Sequence, residues 1–270
     1  MAISTINTNT QALLTQRQIT SGLSSSAQIS AQLASGQRIN SAADDAAGLA
    51  IGTGLNTQMR GMEQTIRNTN DGISMLQVAG GTLSQGTDIL QRMRELTLQS
   101  ANGILNERDR SAIDKEYTQL VDQLETIQQG TSFNGQKLFS EDGESVTLQV
   151  GESANDRIDF TLNSFDLDAL KNPSNDPTSK LAAIDDALGS INQAQADIGA
   201  TTNRLESAAN TLGNSLQSSA EAYSRTMDTD YAAALSERSQ QQLKEQVQIA
   251  MLAQANAAPK QVLRLLGLGN

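Results

Sequence analysis

The sequence predicts a mainly α protein: a long antiparallel helical bundle or coiled coil that carries a small β-hairpin region. Three observations predict it. Apolar residues recur at alternating steps of three and four from Leu181 to Tyr223, the seam of a long helix packed on other helices. The period falls to two only between about 131 and 165, as short strands require. The two chain ends differ in composition from the middle. Residues 1–43 and 235–270 each carry a net charge of +2, and 44–234 carry −15. No Phe or Tyr precedes Tyr117 or follows Tyr231. The ends, 1–43 and 235–270, therefore form one unit and 44–234 another.

The elements follow in order. The N-terminal segment has Ala, Leu and Ile to bury but no aromatic anchor. Such a stripe gains little alone and folds when a partner covers it. Ser41-Ala-Ala-Asp44 reads as a capping box, with Asp44 and Asp45 placed well against a helix dipole. In the helix that follows, Leu55, Met62, Thr69, Leu76, Leu83 and Leu90 share one heptad position, and Met59, Ile66, Ile73, Gly80 and Thr87 share the other. Asn102-Gly103 supplies its stop through a left-handed turn. Asn106 or Asp109 starts a third helix, with Ile113, Tyr117, Leu120, Leu124 and Ile127 on its stripe and Gly130 at its end. Phe133-Asn134-Gly135 holds a strong hairpin signal. Val146–Val150 and Arg157–Leu162 alternate as strands. Residues 166–180, with Pro173 and Pro177, read as a turn linker. Then comes the long seam, in which Gln195, Thr202 and Ser219 are the soft places.

Composition excludes several chemistries. With no cysteine and no histidine, thiol catalysis, the usual zinc sites and the usual neutral-pH general base are all absent. A net charge of −11 argues against nucleic-acid binding. No apolar run is long enough to span a bilayer, and the N-terminus lacks the basic and apolar regions of a cleavable leader. Asp44-Asp45, Asp185-Asp186 and Glu141-Asp142-Gly143-Glu144 do not follow calcium-loop spacing, and read as helix starts and solvated turns. Gly48, Gly52 and Gly54 do not make a nucleotide loop. No cofactor or metal is expected, and no enzyme.

Several long motifs, in order along the whole chain, make it resemble the bacterial flagellins. They are Ile6-Asn7-Thr8-Asn9, the stretch Leu33–Ile51 (LASGQRINSAADDAAGLAI), Gln91–Gly103 (QRMRELTLQSANG), Phe133-Asn134-Gly135, Asp230-Tyr231, Leu252–Asn256 and Val262–Leu266. The resemblance implies a structural subunit that polymerises into the flagellar filament for swimming. It implies paired ends that line the filament core, are disordered in the free subunit and order on assembly. Outside that core it implies a helical bundle with hairpins, of which the hairpin region is the candidate for switching filament curvature. Export through the flagellar type III apparatus would account for the missing leader, and the protein would be extracellular. The short linker at 166–180 stands where larger members insert outer domains, so a thin filament is expected.

The implied partners are further copies of the chain, an export chaperone, and cap and hook-junction proteins, with no nucleic acid and no membrane insertion. Host innate-immune receptors are implied by two residue sets. Arg92, Leu96 and Glu116 match positions contacted by the flagellin-sensing Toll-like receptor. Val262, Leu263, Leu265 and Leu266 match the segment read by inflammasome receptors, whose first role is inner-core packing. Ser and Thr within 131–180 are O-glycan acceptors by the same resemblance, none fixed by a sequon. The alternatives are a hook–filament junction protein with flagellin-like ends, and a secreted coiled-coil binding module.

Overall fold

The computed structural model describes residues 8–139, 145–153, 155–162, 167–171 and 176–265. Helices are α1 (Thr10–Ser35), α2 (Ala46–Ser100), α3 (Glu107–Gly130), α4 (Asp168–Lys171), α5 (Pro177–Met227) and α6 (Tyr231–Leu265). Strands are β1 (Ser132–Phe133), β2 (Gln136–Lys137), β3 (Ser145–Gln149) and β4 (Arg157–Thr161), paired as two antiparallel hairpins. The fold is mainly α, as the periodicity predicts. Two compact units contain these elements: Met1–Thr57 with Ser219–Asn270, and Gln58–Ser218. The charge change near 43 and 235 marks a different boundary. The start of α2 and the end of α5 belong with the terminal helices because packing joins them there. A Cβ on Gly48 would overlap Ile39, and one on Gly52 would stand 2.5 Å from the Met227 sulfur.

In the central unit the predicted seams are where side chains meet. Along α5 no seam position from Leu181 to Tyr223 is exposed, and Ile184, Ile191 and Leu205 are fully enclosed. Along α2, Met62, Thr69, Leu76, Leu83 and Leu90 are buried. A second buried row, absent from the sequence reading, runs beside them through Thr65, Gly72, Ala79, Gly86, Met93 and Ser100. The spacing of seven is the same, but apart from Met93 the residues are small or polar. They admit neighbours instead of projecting into them. A Cβ on Gly72 would overlap Leu148 of β3, and one on Gly86 would stand 3.2 Å from Ile191 and 3.5 Å from Leu124. Thus α2 is covered on two sides, and its apolar face is wider than one heptad stripe.

The local signals resolve in three ways. Asn106 caps α3, and Asp109 completes a reciprocal capping box, so both candidates take part. Asn134 (φ 51°) and Gly135 (φ 81°) occupy the two left-handed positions of the β1–β2 turn, the type I′ geometry that suits a twisted hairpin. In the second hairpin Val146 faces Phe160 and Leu148 faces Ile158, which buries Ile158 and Phe160 in the core.

Other expectations are corrected. Ser41–Asp44 is a turn, not the helix cap. Its Asp44 carboxylate accepts from the Asn40 and Ser41 backbone N–H groups and from the Gln28 amide. The backbone bonds from Asn40 and Ser41 hold that carboxyl below the usual carboxylate range. The cap of α2 is Asp45, which accepts from Gly48 N at 2.9 Å. Neither Asn102 nor Gly103 takes a left-handed φ. Instead the Arg110 guanidinium donates to the carbonyls of Asn102 and Leu105. Within 166–180, residues 167–171 are not a bare linker. Leu167 and Leu170 are buried, and Lys171 pairs with Glu125 of α3 at 2.7 Å. Helix α5 begins at Pro177, four residues before the seam, since proline suits a first helical position where no N–H is needed. Asp176 stands before it and accepts from Ser179 Oγ at 3.3 Å. Residues 141–144 and 172–175, and the Ile6-Asn7 pair, lie outside the described residues.

Candidate functional site

The terminal unit is where the chain leaves large apolar surface unused. Helices α1 and α6 pair antiparallel. Asn9 caps α1 by accepting from Ala12 N, and its Nδ2 donates to Ala255 O at 2.8 Å. At the other end Gly36 closes α1 in the left-handed conformation (φ 71°), beside the Tyr231 hydroxyl that opens α6. A glycine is required there both for φ and for space. Arg38 N donates to Met227 O at 2.7 Å and Thr229 N donates to Gly36 O at 2.9 Å, while the Arg38 guanidinium donates to Thr226 O. Asp230 caps α6 by accepting from Ala232 N and Ala233 N. The stretch Leu33–Ile51 therefore does mechanical work: it ties the end of α1 to the α5–α6 turn and starts α2.

The seam of this pair is poor in apolar bulk. On α1 the buried residues are Thr15, Gly22 and Ile29. On α6, Ala234 and Ala255 are buried, and Gln241, Glu245 and Gln248 are half-buried. Gln248 Oε1 is buried without a hydrogen-bond partner among the described residues. Meanwhile Leu13, Leu14, Leu23, Leu235, Leu243, Val247, Ile249 and Met251 stand 50–62% exposed. A helix pair that must be stable alone puts its leucines inward. This one puts small and polar residues inward and aliphatic residues outward.

The second candidate set lies in the central unit. Arg92 of α2 pairs with Glu116 of α3 at 2.9 Å and with Glu95 at 3.1 Å, with side chains about half exposed. The Glu116 carboxylate, then Glu95, raise the guanidinium further above its ordinary value. Leu96 does not join this surface. It is 2% exposed and belongs to the packed interior. The sequence could not separate Leu96 from Arg92 because the two lie about one turn apart on the same helix. Of the C-terminal set, Val262, Leu263 and Leu265 fall within α6, while Leu266 lies outside the described residues.

A third cluster was missed in the sequence. The Lys180 ammonium, at the first turns of α5, bonds Asp114 at 2.8 Å and stands 5.3 Å over the Tyr117 ring. Burial pushes the Tyr117 phenol up to about 12, and its hydroxyl has no partner among the described residues. This is a clasp between α3 and α5, with no reactive group. Among the described residues no group of three acidic side chains is placed to hold a metal ion, and no helix is long and apolar enough to cross a membrane.

Models of the bacterial flagellin N-terminal and C-terminal helical regions match residues 6–144 and 181–266. A flagellin of Halalkalibacterium halodurans is 39% identical, with 97% of this chain and 99% of that one covered. A Bacillus subtilis flagellin is 34% identical, again with 97% and 99% covered. A flagellar filament 30.7 kDa core protein of Treponema maltophilum is 36% identical over 87% of this chain and 90% of its own. Among solved structures, a Vibrio parahaemolyticus protein assigned as flagellar hook-associated has a TM-score of 0.59 at 18% identity, covering 68% of this chain and 100% of that one. That last likeness is one of fold alone.

Proposed function

The chain belongs to the bacterial flagellin family, and we propose that its paired terminal helices form the inner core of the filament, completed by neighbouring copies. Its role is structural: it is a subunit of the flagellar filament that serves swimming motility. The observation that carries the proposal is the outward row of eight aliphatic side chains on α1 and α6. Covering each of them contributes about 1 kcal/mol, half of a full burial. One chain cannot cover them. Stacked copies can, through heterologous contacts that do not close and so grow a filament. The polar seam explains why a free subunit gains little from pairing its own ends, and supports ends that order on assembly.

Seeded polymerisation of full-length protein carrying Leu23→Asp and Val247→Asp tests this. The expected result is no filament by electron microscopy, with thermal melting of the central helices unchanged. Normal filaments from that variant would overturn the inner-core assignment.

The remaining partners rest on the family resemblance. Export as an unfolded chain, with a chaperone, and contact with cap and hook-junction proteins fit a segment whose apolar side chains are not needed by its own fold. For the Toll-like receptor, the reading supported here is a surface of Arg92 and Glu116, with Leu96 holding α2 in place from beneath. Val262, Leu263, Leu265 and Leu266 serve the inner core first. The β3–β4 hairpin, seated against Gly72, is the proposed element of curvature switching.

A further inference from the structure

We propose that the loop joining α2 to α3 is a self-modifying site, where Asn102 loses its side-chain nitrogen as ammonia after attack by the Gly103 amide. The sequence has two Asn-Gly pairs, Asn102-Gly103 and Asn134-Gly135, and the fold treats them differently. At the first, five features converge on one reaction. Asn102 and Gly103 are both exposed. The Gly103 N–H has no acceptor among the described residues, so the nucleophile is not committed elsewhere. The Asn102 Oδ1 accepts from Ile104 N at 3.2 Å, an Asx turn that folds the side chain along the backbone and polarises its carbonyl for attack. The Asn102 main-chain oxygen accepts from the Arg110 guanidinium at 3.2 Å. That oxygen belongs to the same amide as the Gly103 nitrogen. A cation bonded to it stabilises the deprotonated amide, whose charge rests largely on oxygen. Finally, open space surrounds the Gly103 α-carbon, with nothing within 4 Å of a Cβ position.

The atoms balance without any oxidant. The Gly103 nitrogen gives up its proton and bonds Cγ of Asn102. The Cγ–Nδ2 bond breaks, ammonia leaves, and a five-membered succinimide remains. Water then opens either ring carbonyl, leaving an aspartate at position 102 or its β-linked isomer. Each event adds one negative charge to the turn beside Arg110. The β-linked product also lengthens the backbone there by one carbon.

At Asn134-Gly135 the hairpin opposes the same chemistry. Asn134 is held at φ 51° and Gly135 at φ 81° between the Ser132–Lys137 and Phe133–Gln136 pairs. The ring cannot close without unzipping β1 from β2.

The test is to incubate full-length protein at pH 8 and follow both peptides by mass spectrometry, with enzymatic methyl labelling of the β-linked product. In the native state Asn102 is expected to convert at least about tenfold faster than Asn134. In urea the two rates should converge, since the distinction comes from structure. Arg110→Gln should slow native conversion at Asn102 about tenfold, the worth of one charge-assisted hydrogen bond. Its circular dichroism should match the parent. Gly103→Ala is a second variant, expected to slow conversion with the fold intact. Equal native rates at the two sites, or an unmodified Asn102, would overturn the site. Unchanged conversion in a folded Arg110→Gln protein would overturn the activation by Arg110.

Discussion

In the central bundle Leu76, Leu83, Leu90, Ile184, Ile191 and Leu205 are fully enclosed. In the terminal pair Thr15 and Gly22 occupy the seam, while Leu13, Leu23, Leu243 and Val247 face outward. Both regions are helices with seven-residue periodicity. The central seam is spent inside one chain. The terminal aliphatic row is left exposed, and under the proposed function it is covered by other chains. The same secondary structure then serves stability in one region and assembly in the other, according to which stripe carries the bulk.

The largest test of that contrast is truncation on each side. Leu83→Ala should cost the central unit about 3–4 kcal/mol, a fully enclosed leucine replaced by a cavity, read by urea unfolding followed by circular dichroism. Leu243→Ala should change unfolding of the monomer by less than about 0.5 kcal/mol, yet raise the concentration at which filaments form. A leucine that matters equally to both measurements in both regions would end the contrast.

A smaller effect is expected at Tyr117. Replacing it by Phe removes a buried hydroxyl without a partner and should stabilise the central unit by about 1–2 kcal/mol at neutral pH. The pH dependence follows. The folded phenol is raised from 10.0 to about 12, so its contribution is fully present below the unfolded value and is lost as pH rises toward the folded one. The parent should lose stability across that alkaline window, and Tyr117→Phe should flatten the loss in pH-resolved melting curves.

Gly54 lies on an exposed face of α2 within the terminal unit, with open space around a Cβ position. Gly54→Ala should stabilise the free subunit by about 0.5–1 kcal/mol through reduced unfolded-state entropy. If this variant melts higher but polymerises poorly, that face meets a neighbouring copy. If it polymerises normally, the face stays in solvent. Smallest of all is Arg92→Ala. Its ion pairs are half exposed, so the melting temperature should barely fall, and the small change should vanish in high salt.

Much of the fold was legible. The α5 seam, the capping residues Asn106 and Asp109, the Asn134-Gly135 turn and the two alternating strands all follow from short-range chemistry. The second row on α2 was not legible, because Thr65, Gly72, Ala79 and Gly86 announce no apolar stripe. Their burial depends on what the hairpin and α3 bring to them. Residues 167–171 read as a linker because one helical turn has no periodicity to detect. At the candidate surface the structure brings Arg92 and Glu116 together as an ion pair. The burial of Leu96 was hidden because adjacent turns of one helix can face either interior or solvent.

The sequence by itself determined the helical periods, the turn chemistry, the absence of His and Cys chemistry, and the special composition of the two ends. Those depend on near neighbours along the chain. Only the tertiary structure decided which stripe of each helix is covered and that Lys180 clasps Asp114 and Tyr117. Those outcomes depend on residues tens or hundreds of positions away, whose approach is set by packing rather than by local propensity. The outward row on α1 and α6 belongs to both. Its leucines are plain in the sequence, but only the paired helices reveal that the seam between them is filled by smaller and more polar residues.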